Sequence, residues 1–174
     1  MNLHSKLIER EAAGKPVTVG LIGAGKFGTM FLSQARLTRG MHVAGVADLD
    51  VARARSQLKT AGWPDGAYAA KSLDDAHKAR TTVVTGSAEA LIADPRIEVI
   101  VEATGVPGAG IHHALRSIEN GKHIVMVNVE ADALAGRCWR AAPRRPAWST
   151  AWPGATSRRS FASMSIGRAP PASR

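Results

Sequence analysis

A single cysteine, Cys138, rules out an intramolecular disulfide framework and suits a reducing, cytoplasmic compartment. No apolar run approaches the roughly eighteen residues of a membrane span, so no membrane partner is expected. The first fifteen residues, M-N-L-H-S-K-L-I-E-R-E-A-A-G-K, scatter charges among their apolar positions and lack the apolar core of a secretory signal. Leu3, Leu7 and Ile8 instead predict a short amphipathic helix within residues 1–15, lying on the domain that follows. No spacing of cysteine and histidine suggests zinc. His112 and His113 are adjacent, so on a helix they point about 100° apart and make a poor metal pair. They read as helix residues rather than catalysts, and no metal site is expected.

Acidic residues are missing from one end of the chain. The last is Asp132, and residues 137–174 carry eight arginines and no acid. Without those arginines the net charge of +9 falls to +1, fifteen basic residues against fourteen acidic. The folded part is therefore nearly neutral, and nucleic acid is not an expected partner. A length of 174 residues allows one domain of ordinary size and not two full ones.

What is present begins with Val17-Thr18-Val19-Gly20-Leu21-Ile22-Gly23-Ala24-Gly25-Lys26-Phe27-Gly28. A buried strand runs into a glycine turn and then into the first turn of a helix. Gly23, Gly25 and Gly28 form G-x-G-x-x-G, the pattern that lets a backbone lie against a pyrophosphate. Gly23 permits the tight turn, Gly25 lacks the Cβ that would meet the phosphate, and Gly28 lets helix and strand pack closely. The N–H groups and positive dipole at the helix start attract the anion. Twenty residues beyond Gly28, Asp48 ends the apolar run Met41–Ala47, where an acid reaches the adenosine ribose of a dinucleotide. Its charge favours NAD over NADP, while Arg53 and Arg55 nearby keep NADP open.

Further along, strands and helices alternate. Helices are predicted over Phe27–Arg39, Val51–Thr60 (with Asp50 as N-cap), Ser72–Arg80, Ala88–Ala93 and Gly108–Asn120. Strands are predicted over Thr81–Thr85, Ile97–Ala103 and Lys122–Asn128. This alternation means a parallel sheet covered on both faces, a doubly wound α/β fold of Rossmann type with strand order 3-2-1-4-5. Ala103, Thr104 and Gly105 follow the fourth strand, where the nicotinamide half would pass. Thr104 either meets phosphate or ribose through its hydroxyl or simply caps the turn. Asn128, at the end of the fifth strand, is the expected cofactor contact there; Glu130 reads as a polar turn residue.

At Gly136 the character changes. The 38 residues beyond it hold three of the four tryptophans, five of the nine prolines and the only cysteine, without helical or strand period. Two readings are open for 137–174. One is a disordered basic arm; the other, favoured, is a shifted reading frame in GC-rich DNA. Read one base out of register, with third bases chosen freely, these codons can spell acids, a turn and an amphipathic helix. The expected organisation is thus a helix in 1–15, a nucleotide-binding domain in 16–136 and an irregular tail in 137–174.

The motifs V-G-L-I-G-A-G-K-F-G-T-M-F, V-A-D-L-D, I-V-E-A-T-G-V-P and G-K-H-I-V-M-V-N-V-E-A-D, together with the N-terminal helix, resemble the homoserine-dehydrogenase-like oxidoreductases. Within these, the branch with a C-terminal SAF domain, which includes deoxyxylulose-phosphate-reductoisomerase-like enzymes, is the most similar. The resemblance covers roughly residues 1–136. It implies an NAD(P)-dependent oxidoreductase acting on a small hydroxy or oxo compound, with a catalytic and oligomerisation region beyond the nucleotide domain and homo-oligomeric full-length members. It implies phosphate contacts at Gly23, Gly25, Lys26, Phe27 and Gly28, ribose contact at Asp48, and a nicotinamide side lined by Ala103, Thr104, Gly105 and Asn128. Homoserine dehydrogenases carry Asn-Lys after the fifth strand, whereas Val129 and Glu130 follow Asn128 here; this departure puts homoserine in doubt as substrate. The reductoisomerase-like members use NADPH, against the NAD lean of Asp48. No catalytic acid or base is assigned within the chain, which is expected to bind cofactor with little or no turnover. The alternative is a non-catalytic NAD(P)-binding module.

Overall fold

The computed structural model describes residues 2–141. The chain begins with α1 (Leu3–Ala12), capped by the Asn2 side chain, and enters β1 (Val17–Ile22). There follow α2 (Lys26–Ala35), β2 (Met41–Ala47), α3 (Val51–Thr60), a 3-10 turn (Asp65–Tyr68) and α4 (Leu73–Ala79). The second half consists of β3 (Val83–Thr85), α5 (Ala88–Ala93), β4 (Val99–Glu102), α6 (Pro107–Glu119), β5 (His123–Met126) and α7 (Val129–Ala141). Every strand pairing is parallel, and the order is β3-β2-β1-β4-β5, as the alternation predicts.

Apolar residues on both faces of β1, β2 and β4 explain why helices cover the sheet on two sides. One core gathers Val19, Leu21, Val43, Val46 and Val101 with Leu32 of α2 and Leu58 of α3. A second gathers Ile22, Ala44 and Ile100 with Leu91 and Ile92 of α5, and a small third one joins Ala70, Ala76 and Val83. Each fully buried leucine or isoleucine contributes about 1.5–3 kcal/mol of burial free energy. Asp50, Ser72 and Ser87 cap α3, α4 and α5, accepting from the N–H groups of Arg53, Asp75 and Ala90. A short polar side chain before each helix satisfies a donor that the helix itself leaves free.

The helix at the N-terminus is anchored by charge. Arg10 forks onto Glu98 with distances of 2.9 and 2.7 Å, tying α1 to the amino end of β4. Some predicted elements are shorter than expected. β3 begins at Val83 because Thr82 spends its N–H on the Ala67 carbonyl and its hydroxyl on Val43. α2 stops at Ala35, where Leu37 and Thr38 turn back onto Gln34 and Ala35.

The expectation that order ends at Gly136 meets a difference: α7 runs through Gly136 to Ala141. Asn128 starts it by accepting from the N–H of Ala131, and Glu130 and Asp132 occupy its first turn, where acids complement the helix dipole. The frame-shift and basic-arm readings of 142–174 fall outside the described residues. Among the described residues, no helix is long and apolar enough to cross a membrane.

Candidate functional site: a dinucleotide crevice at the carboxyl edge of the sheet

Ile22 pairs with Ala47 on one side and with Glu102 on the other, so β1, β2 and β4 end level with one another. The residues after them, Gly23, Asp48 and Ala103, therefore meet at one edge. Chain order reverses between β1 and β4, and an open sheet binds its ligand at that kind of crevice.

The glycine turn is shaped by close approach on both sides. Gly23 has φ +97°, and a Cβ there would lie 2.7 Å from the Ala103 carbonyl carbon and oxygen. A Cβ on Gly28 would lie 2.3 Å from the Gly23 carbonyl oxygen, so this glycine lets α2 fold down against its own entry turn. Gly25 differs from both. It is the N-cap of α2, without a side-chain cap, and a Cβ built on it meets no atom within 4 Å. α2 has no acid in its first turn, and Lys26 opens it. A lysine there opposes the helix dipole and sits beside N–H groups that lack intrahelical acceptors. Phe27 and, one turn on, Met30 are exposed beside it.

Asp48 is 8% exposed. One carboxylate oxygen accepts from the Ala24 N–H at 2.8 Å, and the other accepts from the Asp50 N–H at 2.9 Å and the Arg53 guanidinium at 2.8 Å. Burial pushes its pKa up, but these donors outweigh burial and hold the carboxyl below the ordinary carboxylate range. The expected ribose acceptor is thus also the tether that pins the glycine turn to β2, with Arg53 over its outer oxygen. Arg55 points elsewhere, donating to the Tyr68 carbonyl at 3.3 Å.

At the end of β4 the expected side-chain contacts turn inward. The Thr104 hydroxyl donates to Glu102 and accepts from the Val106 N–H at 3.3 Å, which is the capping alternative for Thr104. Asn128, 2% exposed, accepts from Ala131 and donates to the Val106 carbonyl at 2.9 Å. Its amide caps α7 and ties it to the start of α6. This edge presents outward the backbone of Gly105, which has φ +69°, is exposed and has open space where a Cβ would stand, next to the exposed Val106 side chain.

One residue escaped the sequence reading. Glu102, fully buried, receives the Thr104 N–H at 3.2 Å, the Thr104 hydroxyl, and His113 Nδ1 at 3.4 Å. Burial raises its pKa, and the hydrogen bonds from His113 and Thr104 outweigh it, leaving the carboxyl below its ordinary range. The adjacent histidines diverge, since His112 pairs with Glu89 at 2.7 Å while His113 turns to Glu102. A glutamate ending an apolar strand was the available signal.

Residues 19–145 match the family model described as homoserine dehydrogenase, NAD binding domain. The chain belongs to this family. A homoserine dehydrogenase of Methylobacillus glycogenes is 30% identical over 123 residues, covering 66% of this chain and 25% of that protein. The crystal structure of a homoserine dehydrogenase from Thiobacillus denitrificans shares the fold, with a TM-score of 0.56 at 23% identity over 78% of this chain and 27% of that one. The chain thus spans about a quarter of the length of these homoserine dehydrogenases. The crevice described above lies within the matched NAD-binding domain, and the match continues past Gly136.

Proposed function

We propose that the chain holds NAD or NADP across the β1–β4 crevice, as the nucleotide domain of an oxidoreductase acting on a small hydroxy or oxo compound. The observation that carries this reading is the start of α2. It is uncapped, free of acids, opened by Lys26, and left with empty space at Gly25. A pyrophosphate placed there receives the free N–H groups and the positive end of the helix. Gly23 and Gly28 hold the turn close enough to β4 for one dinucleotide to run from Asp48 to Gly105. The bound nicotinamide supplies hydride transfer. The chain's share is to bind and orient it, with Asp48 fixing the turn and the Ala103–Gly105 backbone facing the ring. Homoserine stays in doubt as substrate, because Val129 and Glu130 stand where lysine follows the asparagine in homoserine dehydrogenases. Nucleic acid has no part in this reading, since residues 1–136 carry a net charge of only +1.

Gly25→Ala tests it. The residue has φ −74° and open space, so the fold should lose no more than about 1 kcal/mol. NADH and NADPH binding, followed by fluorescence titration, should weaken at least about tenfold as the new methyl meets the phosphate. Unchanged affinity in the variant would remove the crevice as the cofactor site. A turnover assay over a panel of small hydroxy and oxo compounds then separates an enzyme from a binding module.

A further inference from the structure

Glu102 is the costliest side chain at this edge of the sheet. It is a carboxylate with no exposed surface at the end of an apolar strand. Its two oxygens are used unequally. Oε1 takes both donors of Thr104 and His113 Nδ1, whereas Oε2 has no hydrogen-bond partner among the described residues. Burying an unpaired polar atom opposes folding, and packing alone would favour an apolar residue here. β1 and β5 place Ile22 and Met126 beside Glu102, neither of them titratable, and His113 reaches it from α6. The loaded oxygen accounts for the residue's place. Through Oε1, Glu102 fixes Thr104. The Thr104 hydroxyl then receives the Val106 N–H, and Asn128 holds the Val106 carbonyl. These bonds shape the turn from Ala103 to Val106 and leave Gly105 facing outward.

We infer that Glu102 is a positioning residue for the nicotinamide half of the cofactor, acting through Thr104 on the Ala103–Val106 turn. This rests on the cofactor reading above. Glu102 touches no cofactor; it sets the backbone that does. Its influence falls on the nicotinamide half, because Glu102 bonds only Thr104 and His113, whereas the adenosine and pyrophosphate subsites are assigned to Asp48 and to the start of α2 at Gly25–Gly28; of the turn's glycines, Gly23 lies against Ala103.

The experiment compares two probes on the full 174-residue chain. ADP-ribose carries the adenosine and pyrophosphate without nicotinamide, and NADH carries all three. Glu102→Gln keeps the side-chain volume and one acceptor but removes the charge. It should weaken NADH binding about tenfold, as expected for losing a charge-assisted hydrogen bond, and leave ADP-ribose affinity unchanged. Thr104→Val removes the hydroxyl donor while Glu102 stays, so it should give the same split; it carries the test if Glu102→Gln fails to fold. Equal weakening of both probes, or of neither, overturns the inference. So does a wild-type chain that binds NADH no better than ADP-ribose. If the wild type binds neither probe, the cofactor reading itself fails.

Discussion

At the residue scale, the proposed cofactor reading makes the pair Asp48–Arg53 the place where a 2′-phosphate would be accepted or repelled. An isolated carboxylate at the end of β2 accepts from a ribose hydroxyl and repels phosphate. Here the carboxylate is nearly covered, and the half-exposed Arg53 guanidinium offsets its charge. Arg53 keeps donors to spare, and a guanidinium binds phosphate oxygens in pairs. Arg53→Ala should therefore weaken NADPH more than NADH, shifting the ratio of their dissociation constants by about tenfold toward NADH. Fluorescence titration with both cofactors measures that ratio; an unchanged ratio would exclude Arg53 from the adenosine subsite. The identity of the acid at position 48 was legible from its distance to the glycines. Its work as a tether was not, because the N–H groups of Ala24 and Asp50 that occupy it belong to backbone geometry and leave no mark in composition.

At the element scale, α7 shows how one polar side chain joins two helices. Asn128 accepts from Ala131 at the start of α7 and donates to the Val106 carbonyl at the start of α6. Asn128→Ala removes a cap and one of two donors to the Val106 carbonyl, which keeps the Gly110 N–H, so it should cost about 1–2 kcal/mol. Urea unfolding followed by far-UV circular dichroism checks this, and a loss within experimental error would deny Asn128 the capping role. Strand order, parallel pairing and the capped starts of α3 and α4 were readable, because apolar runs and short polar caps are local signals. The ends of elements were less so. Thr81 and Thr82 read as strand by their β-branching, yet the Ala67 carbonyl claims the Thr82 N–H before the sheet can. α7 was obscured by the abrupt change in composition at Gly136, although Asn128, Glu130 and Asp132 already formed a helix start. Gly23, Gly25 and Gly28 were read from spacing alone, but the glutamate that ends β4 gave no sign in the sequence that Thr104 and His113 would close over it.

For the described domain as a whole, the buried titratable groups set how stability follows pH. His42 and His77 are both pushed below the ordinary histidine value of 6.5, chiefly by burial, with Arg80 and Arg96 respectively adding to it. His123 is lowered by burial as well. Unfolded, these imidazoles take up protons near pH 6.5, while folded they stay neutral to lower pH. The unfolded chain then binds more protons, and stability falls as pH drops below about 6.5. A second loss comes lower. Asp94 is held down first by the Arg96 side chain, and Asp48 and Glu102 by the donors that outweigh their burial. Their contribution is complete above the unfolded values of 3.8 and 4.5 and is lost as pH falls toward their folded values. The melting temperature should accordingly decline in two stages on acidification, one beginning near pH 6.5 and one near pH 4.5. His77→Gln should flatten the upper stage and leave the lower one, since glutamine does not titrate. A single acid transition confined below pH 4.5 would mean that the histidines at the amino edge titrate as they do in the unfolded chain.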